Sequence, residues 1–273
     1  MDNRVRYSQN FLVSKSTVRL LLAKSSITKD DVVVEAGPGR GIITSELVRK
    51  AGRVIAVEID PGLVNYLKSI RAPNLSVVNA DFLKFKLPVT PFKFFGNIPF
   101  NITSDIVRKL IKSHVVDAYL IIQKEAAKKF SGKPSESLFS LLVKPFFDLH
   151  PIHYFTPSDF SPVPKVSTAL LRIKRRAKPL ITDRDSYSDF LSFVFSQRVS
   201  FMLALHRVFT SKQLRRLSVD LNFPLDANPT DLSFNQWLSV FEYYVKAGKK
   251  VVGSSYSKLI KQQSHLTKRH RTF

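Results

Sequence analysis

The chain of 273 residues contains no cysteine. Disulfides, a thiolate nucleophile and cysteine-ligated zinc are therefore excluded. A reducing compartment fits this composition, although it is not required by it. No run of about 18 apolar residues occurs, so no membrane span is expected. Residues 1–10 lack the apolar core of a signal peptide, and the expected location is cytoplasmic. The six histidines (His114, His150, His153, His206, His265 and His270) form no metal-ligand spacing, so no metal is expected. Serine and threonine are plentiful, but no nucleophile-elbow pattern is present, and no internal repeat is visible. Acid is scarce. Only 21 Asp and Glu stand against 43 Lys and Arg, giving a net charge of +22. An excess of this size points to a polyanion, and its spread over a whole globular chain favours nucleic acid over a membrane.

What is present reads as an α/β protein. Residues 15–26 have helical apolar spacing. Val32 to Val34, ending at Glu35, form a buried β-branched run, followed by a helix over 42–51. Val54 to Val57 are a second strand. Asp60 followed by Pro61 suits an N-cap with proline in the first turn. Strands follow at Leu75–Val78, Phe92–Phe95 and Ala118–Ile122, with a helix over 103–111 before the last of these. Strands alternating with helices predict a mainly parallel, Rossmann-like sheet with helices on both faces. After about residue 150, prolines at 151, 157, 162 and 164 punctuate a loop-rich stretch. Val166–Ile173 then reads as a late strand, antiparallel at or near the sheet edge. From Asp183 to about Lys246 the signals are helical, with loops at 222–224 and 228–229. The expected domains are 1–178 (catalytic), 179–246 (small, helical and RNA-binding) and 247–273 (a basic tail). Lys246 to Phe273 holds eight Lys or Arg and no acid.

Glycine is also scarce, yet three of the nine fall within Gly37-Pro38-Gly39-Arg40-Gly41. This loop follows the first strand and opens a helix, a turn that lets backbone approach a ligand closely. Glu58 ends the second strand, where nucleotide-binding folds place an acid against ribose hydroxyls. The spacing is G-x-G-x-G rather than G-x-G-x-x-G, and Glu35 precedes it. A carboxylate there is poorly placed beside a diphosphate and well placed beside an ammonium or sulfonium. S-adenosylmethionine is therefore favoured over NAD. Asp81 and Phe82 follow the third strand. Asp81 alone reads more readily as a helix or turn cap, but in sequence with the other two sites the pair reads better as meeting an adenine amine and ring.

Gly96-Asn97-Ile98-Pro99-Phe100 ends the fourth strand. An exocyclic adenine amine is a weak nucleophile because its lone pair is delocalised into the ring. The Asn97 side-chain oxygen and the Ile98 carbonyl can accept its two hydrogens and free that lone pair, with Pro99 fixing the turn. Phe100 can stack on a flipped base. Catalysis would then be positioning and electrostatics. The competing reading is a plain Asn-Ile-Pro turn with Phe100 in the core.

These segments, with Ser8-Gln9-Asn10-Phe11, Glu58-Ile59-Asp60, Asp81-Phe82-Leu83 and Phe160-Ser161-Pro162-Val163-Pro164-Lys165-Val166, resemble the rRNA adenine N6-dimethyltransferases over residues 6–246. Two branches compete. The Erm enzymes act on 23S rRNA and confer macrolide–lincosamide–streptogramin B resistance; the housekeeping KsgA/Dim-type enzymes act on small-subunit rRNA. Asn-Ile-Pro and Tyr7-Ser8-Gln9-Asn10-Phe11 look more like Erm. The resemblance implies a cofactor site from Gln9, Asn10, Leu12, Gly37, Gly39, Glu58, Ile59, Asp81, Phe82 and Asn97. It puts the target base against Asn97 and Phe100, with Phe160 as a second aromatic wall or as plain core. Phe100 stands where the family usually has tyrosine, so a stacking face is kept and a hydroxyl is lost. The implied partner is ribosomal RNA, most readily 23S before full subunit assembly; a monomer is the default expectation for the chain itself. Arg108, Lys109, Lys112, Lys124, Lys128, Lys129 and Lys133 are expected near the carboxyl edge of the sheet as phosphate contacts, each also readable as a solvated helix face. A non-catalytic binding protein on the same scaffold would be expected to lose the glycine loop or the Asn-Pro motif, and both are intact.

Overall fold

The computed structural model describes residues 10–196 and 201–247. Gln9 with the residues before it, and the basic tail from 248, lie outside the described residues. The chain divides into two units, one of residues 1–128 and 147–175 and the other of residues 129–146 and 176–273.

The first unit contains a seven-stranded sheet. Its strands are β2 (Val32–Ala36), β3 (Arg53–Glu58), β4 (Leu75–Asn79), β5 (Phe92–Asn97), β6 (Val115–Gln123), β7 (Phe147–Tyr154) and β9 (Thr168–Arg175). The order is β4-β3-β2-β5-β6-β9-β7. The first five are parallel, and β9 runs antiparallel to both β6 and β7. Helices α1 (Lys15–Ala23), α2 (Ile42–Lys50), α3 (Pro61–Lys68) and α4 (Thr103–Ile111) accompany these strands. A two-stranded ribbon pairs β1 (Phe11–Leu12) with β8 (Phe160–Ser161). The fold class read from the sequence is the one found.

Local chemistry explains the elements. Val33 and Val34 are fully buried, as a parallel strand covered on both faces requires. Burying each such side chain contributes roughly 1.5–3 kcal/mol. The Ser14 hydroxyl caps α1 by accepting from Thr17 N–H at 3.3 Å. Asp60 caps α3 by accepting from Gly62 N–H at 2.7 Å and Leu63 N–H at 3.3 Å, with Pro61 in the first turn. Where parallel pairing ends, charge holds β9 to β6. Arg172 Nη2 donates to buried Asp117 at 2.6 Å, and the Tyr119 and Ser26 hydroxyls each donate to the same carboxylate at 2.8 Å.

Strand β7 falls in the stretch that its prolines make read as loop. It is the edge strand, and its register slips between Pro151 and His153. Proline is tolerated on a sheet edge because its missing N–H has no ladder partner to satisfy.

The second unit contains α6 (Leu138–Val143), α7 (Arg184–Ser196), α8 (Phe201–His206), α9 (Ser211–Asp220) and α10 (Phe234–Ala247); α5 (Lys124–Phe130) spans the division. Tyr187, Phe190, Phe209 and Trp237 form an aromatic core in this unit. The Trp237 indole donates to the Pro229 carbonyl at 3.0 Å. The division differs from an uninterrupted 1–178 domain, because Leu141 is fully buried within this helical core and Leu138 and Leu142 pack against it. No described helix is long and apolar enough to cross a membrane.

Candidate active site

The parallel strands deliver their ends to one edge of the sheet, where open α/β folds hold ligands. At the end of β2, Gly37 and Gly39 take φ of +63° and +58°. A side chain in that region costs about 1–3 kcal/mol. A Cβ on Gly39 would stand 2.7 Å from the Phe11 ring, whereas one on Gly37 would meet nothing within 4 Å. The space over Gly37 is thus an open cradle, and Phe11 closes its neighbour.

Two buried acids flank the loop. Glu58 Oε2 accepts from Gly39 N–H at 3.1 Å, and its Oε1 accepts from Ile59 N–H at 2.8 Å and Asp60 N–H at 3.0 Å. A carboxylate offers roughly four acceptor positions, so the Oε2 side retains one for a ribose hydroxyl. Ile59 beside it is 50% exposed, an apolar surface able to cover a ring face.

Glu35 is 1% exposed. Its Oε2 accepts from the Thr44 hydroxyl at 2.7 Å, while Oε1 is buried with no partner. Burial, with Glu58 adding its negative charge, pushes the Glu35 carboxyl up to about 8 against the relief given by Thr44. Burial thus holds the Glu35 carboxyl, read from the sequence as a standing carboxylate, toward its neutral form. A buried carboxyl with an orphan oxygen, two residues before an open glycine cradle, fits a cationic nucleoside ligand. S-adenosylmethionine is such a ligand.

The remaining cofactor candidates divide. Asn10, Gly37, Gly39 and Asn97 line one cavity together with Phe11, Ile98, Pro99, Phe100, Phe160 and Thr168. Asp81 Oδ1 accepts from Leu83 N–H at 2.8 Å and caps the turn, as its plainer reading has it. Phe82 is 7% exposed and packs against Phe94 with centroids 5.5 Å apart. Leu12 is 4% exposed within the core. The side chains of Phe82 and Leu12 are thus committed to packing. Gln9 lies outside the described residues.

The Asn97 amide is oriented from across the cavity. Its Nδ2 donates to the Asn10 carbonyl at 2.6 Å, which leaves Oδ1 as the free acceptor of the pair. The ribbon of β1 with β8 puts Asn10 there, since Phe11 pairs with Ser161 and Leu12 with Phe160. Ile98 N–H donates to the Ile121 carbonyl at 3.0 Å and fixes the peptide plane after β5. The Pro99 carbonyl accepts from the Thr103 hydroxyl at 3.2 Å. Phe100, half-buried, occupies the turn before α4. Phe160 is 3% exposed and packs on Phe155 at 5.2 Å, so it serves the core while also lining the cavity.

Within the first unit the basic residues do not share one location. Helix α4 carries the chain from the carboxyl end of β5 back toward the amino end of β6. Lys112, its C-cap, therefore lies at the amino edge rather than over Asn97. Lys109 Nζ donates to the carbonyls of Leu83 at 2.8 Å and Phe85 at 2.5 Å and sits 5.6 Å from the Phe82 ring centroid. It ties down the turn after β4. Arg108 is exposed and pairs with Asp105 at 3.3 Å. Lys124 and Lys128 follow the carboxyl end of β6, and Lys128 pairs with Glu125 at 3.1 Å. Lys129 and Lys133 belong to the second unit. Among the described residues no acid–histidine group could hold a metal.

No local signal in the sequence marks Thr44 as the partner of Glu35, or Thr168 as a cavity wall. Both contacts join residues brought together only by the sheet and its helices.

Comparison with known proteins identifies the family. The model of the ribosomal RNA adenine dimethylase family matches residues 1–246. A Bacteroides fragilis rRNA adenine N-6-methyltransferase is 32% identical over 247 residues, 87% of this chain and 92% of its own length. The ribosomal RNA small subunit methyltransferase A of Mycoplasmopsis pulmonis is 34% identical over 220 residues, 78% of this chain and 87% of that one. The crystal structure of the 23S rRNA methyltransferase ErmE superposes with a TM-score of 0.82 at 32% identity, over 86% of this chain and all of the other.

Proposed function

The chain belongs to the ribosomal RNA adenine dimethylase family, and from that premise we propose that it methylates N6 of a specific adenine in 23S rRNA and so confers resistance to macrolides, lincosamides and streptogramin B. It is an S-adenosylmethionine-dependent rRNA adenine methyltransferase. The 23S reading is supported by similarity to ErmE along that chain's whole length and by the Asn-Ile-Pro sequence at residues 97–99. The Mycoplasmopsis relative named for the small subunit supports the alternative target, 16S rRNA.

The observation that carries the chemistry is the anchored amide of Asn97. With Nδ2 held by the Asn10 carbonyl, Oδ1 is presented as an acceptor before any substrate arrives. It takes one hydrogen of the adenine amine, and the Ile98 carbonyl takes the other. The nitrogen is drawn toward a tetrahedral shape and its lone pair is freed. Phe100 stacks on the extruded base, worth roughly 1–3 kcal/mol against the cost of unstacking. S-adenosylmethionine supplies the electrophilic methyl group. The Gly37 cradle, the Glu35 carboxyl, Ile59 and the open acceptor position of Glu58 would hold it. Because the Asn97 acceptor is held in advance, little reorganisation of that group accompanies reaction.

The test is transfer of tritiated methyl groups to protein-free 23S and 16S rRNA, followed by primer extension to locate the modified base. The expected result is label on one 23S adenine, lowered about 10²–10³-fold in kcat by Asn97→Ala. Label on 16S rRNA would replace the 23S reading with the small-subunit one. Absence of transfer to either would refute methylation of rRNA by this chain.

A further inference from the structure

A second depression adjoins the catalytic cavity. It opens between residues 155–157 and 164–168, and Thr168, 3% exposed, lines both it and the cavity of Asn97 and Phe100. Thr168 begins β9 opposite Gln123, the last residue of β6, so the second depression lies at the same sheet edge as the reacting amine. Its apolar lining comes from Phe155, Pro157, Pro164 and Val166, and its charged lining from Lys165. Val166 is 40% exposed, and neighbouring Val163 is 61% exposed.

Lys165 is the charged residue of its lining. No acid lines the depression. Asp159 nearby is engaged by the Thr156 N–H and hydroxyl, both at 2.8 Å, and by the Thr17 hydroxyl at 3.2 Å. Lys124 is tied in through its backbone, whose N–H donates to the Ser167 carbonyl at 2.8 Å. Its ammonium stands 5.5 Å from the ring centroid of Tyr154, which is 53% exposed.

We propose that this depression is a second nucleotide subsite, taking the residue that adjoins the target adenine in the same RNA strand. The inference rests on the reading of the first cavity as the adenine site. An adenine extruded into that cavity draws its backbone with it, and the next nucleotide then needs a surface of its own. Enzymes that act on a flipped base set their sequence context by contacts to flanking nucleotides. Here Pro157, Pro164 and Val166 offer a flat apolar face to a base. Lys165 and Lys124 offer two ammonium groups to its phosphate, and Thr168 separates the two bases. The segment 162–166 thereby acquires a role in choosing which adenine is methylated.

The test uses the rRNA fragment that accepts methyl groups in the preceding experiment, synthesised with an abasic residue at either neighbour of the target. For the native enzyme, one of the two abasic RNAs should raise KM by roughly five- to hundred-fold. Lys165→Ala should raise KM rather than lower kcat and should reduce the slope of log affinity against log salt by about one. Val166→Ser should shrink the penalty for the abasic neighbour, since the contact is already lost. Both residues are exposed, so both variants should fold. Equal KM for intact and abasic RNAs with normal methylation would overturn the subsite and leave the proposed function standing. An unchanged salt slope in Lys165→Ala would remove Lys165 as its phosphate contact and overturn the proposal in this form. No methylation of any RNA would overturn both readings.

Discussion

Replacing Glu35 by glutamine is the most informative single perturbation. The carboxyl is fully buried, has one oxygen without a partner and is pushed up to about 8 from its ordinary 4.5. A raised carboxyl contributes stability that is fully present below the unfolded value. That contribution is lost as pH climbs toward the folded value, because the unfolded chain ionises first. At 1.36 kcal/mol per tenfold, the gap corresponds to about 5 kcal/mol between pH 4.5 and 8, and about 3 kcal/mol of it is already lost at pH 7. Glutamine keeps the shape and does not titrate. Urea denaturation of both proteins at pH 5, 6, 7 and 8 should therefore show the stability of the native protein falling relative to Glu35→Gln by several kcal/mol as pH rises. Differences among the other titrating groups cancel in the comparison. A cation beside the orphan oxygen would favour the ionised form, so binding of S-adenosylmethionine should release a proton. Its enthalpy should then depend on the ionisation heat of the buffer in the native protein and not in Glu35→Gln. Stability curves that stay parallel from pH 5 to 8 would refute the reasoning, and equal buffer dependence would remove Glu35 from the cofactor site.

Other variants separate roles that the sequence leaves merged. Gly39→Ala should destabilise by about 1–3 kcal/mol through its left-handed backbone. It should also displace Phe11, whose ring lies 2.7 Å from the new Cβ, and weaken cofactor binding as measured by calorimetry. Phe100→Ala should weaken RNA substrate binding by roughly 1–3 kcal/mol, and Phe100→Tyr should restore it; equal activity in all three forms would show that the ring does not stack. Lys109→Met should lower stability by about 1–3 kcal/mol, since it leaves two loop carbonyls unbonded, without changing the salt dependence of RNA binding. Lys124→Ala should do the reverse, lowering the salt slope by about one at unchanged stability.

The order of strands and helices through residue 123 was legible because each element carries its own local signal. Val32–Val34 are β-branched and buried, Asp60-Pro61 is a capping pair, and residues 103–111 have helical apolar spacing that ends where the helix ends. The glycine loop was legible too, because three glycines in five positions have few other uses. Strand β7 was not, because its proline reads as a breaker until the strand is known to lie at an edge. The bonds of Lys109 were not legible for a related reason. Nothing in a lysine's neighbours along the chain tells a solvated ammonium from one bonded to the Leu83 and Phe85 carbonyls, 26 and 24 residues away.

The sequence by itself determined the fold class, the strand-end motifs and the excess of positive charge, all properties of residue type and near spacing. Only the tertiary structure decided what state those residues are in. It pushed the Glu35 carboxyl toward its neutral form by removing it from water. It turned Asn97 Oδ1 into the free acceptor through a carbonyl 87 residues away, and it took residues 129–146 into the helical unit because Leu141 is buried there. Charge state, amide orientation and domain membership depend on which groups surround a side chain in space, and that is fixed by the packing of distant segments.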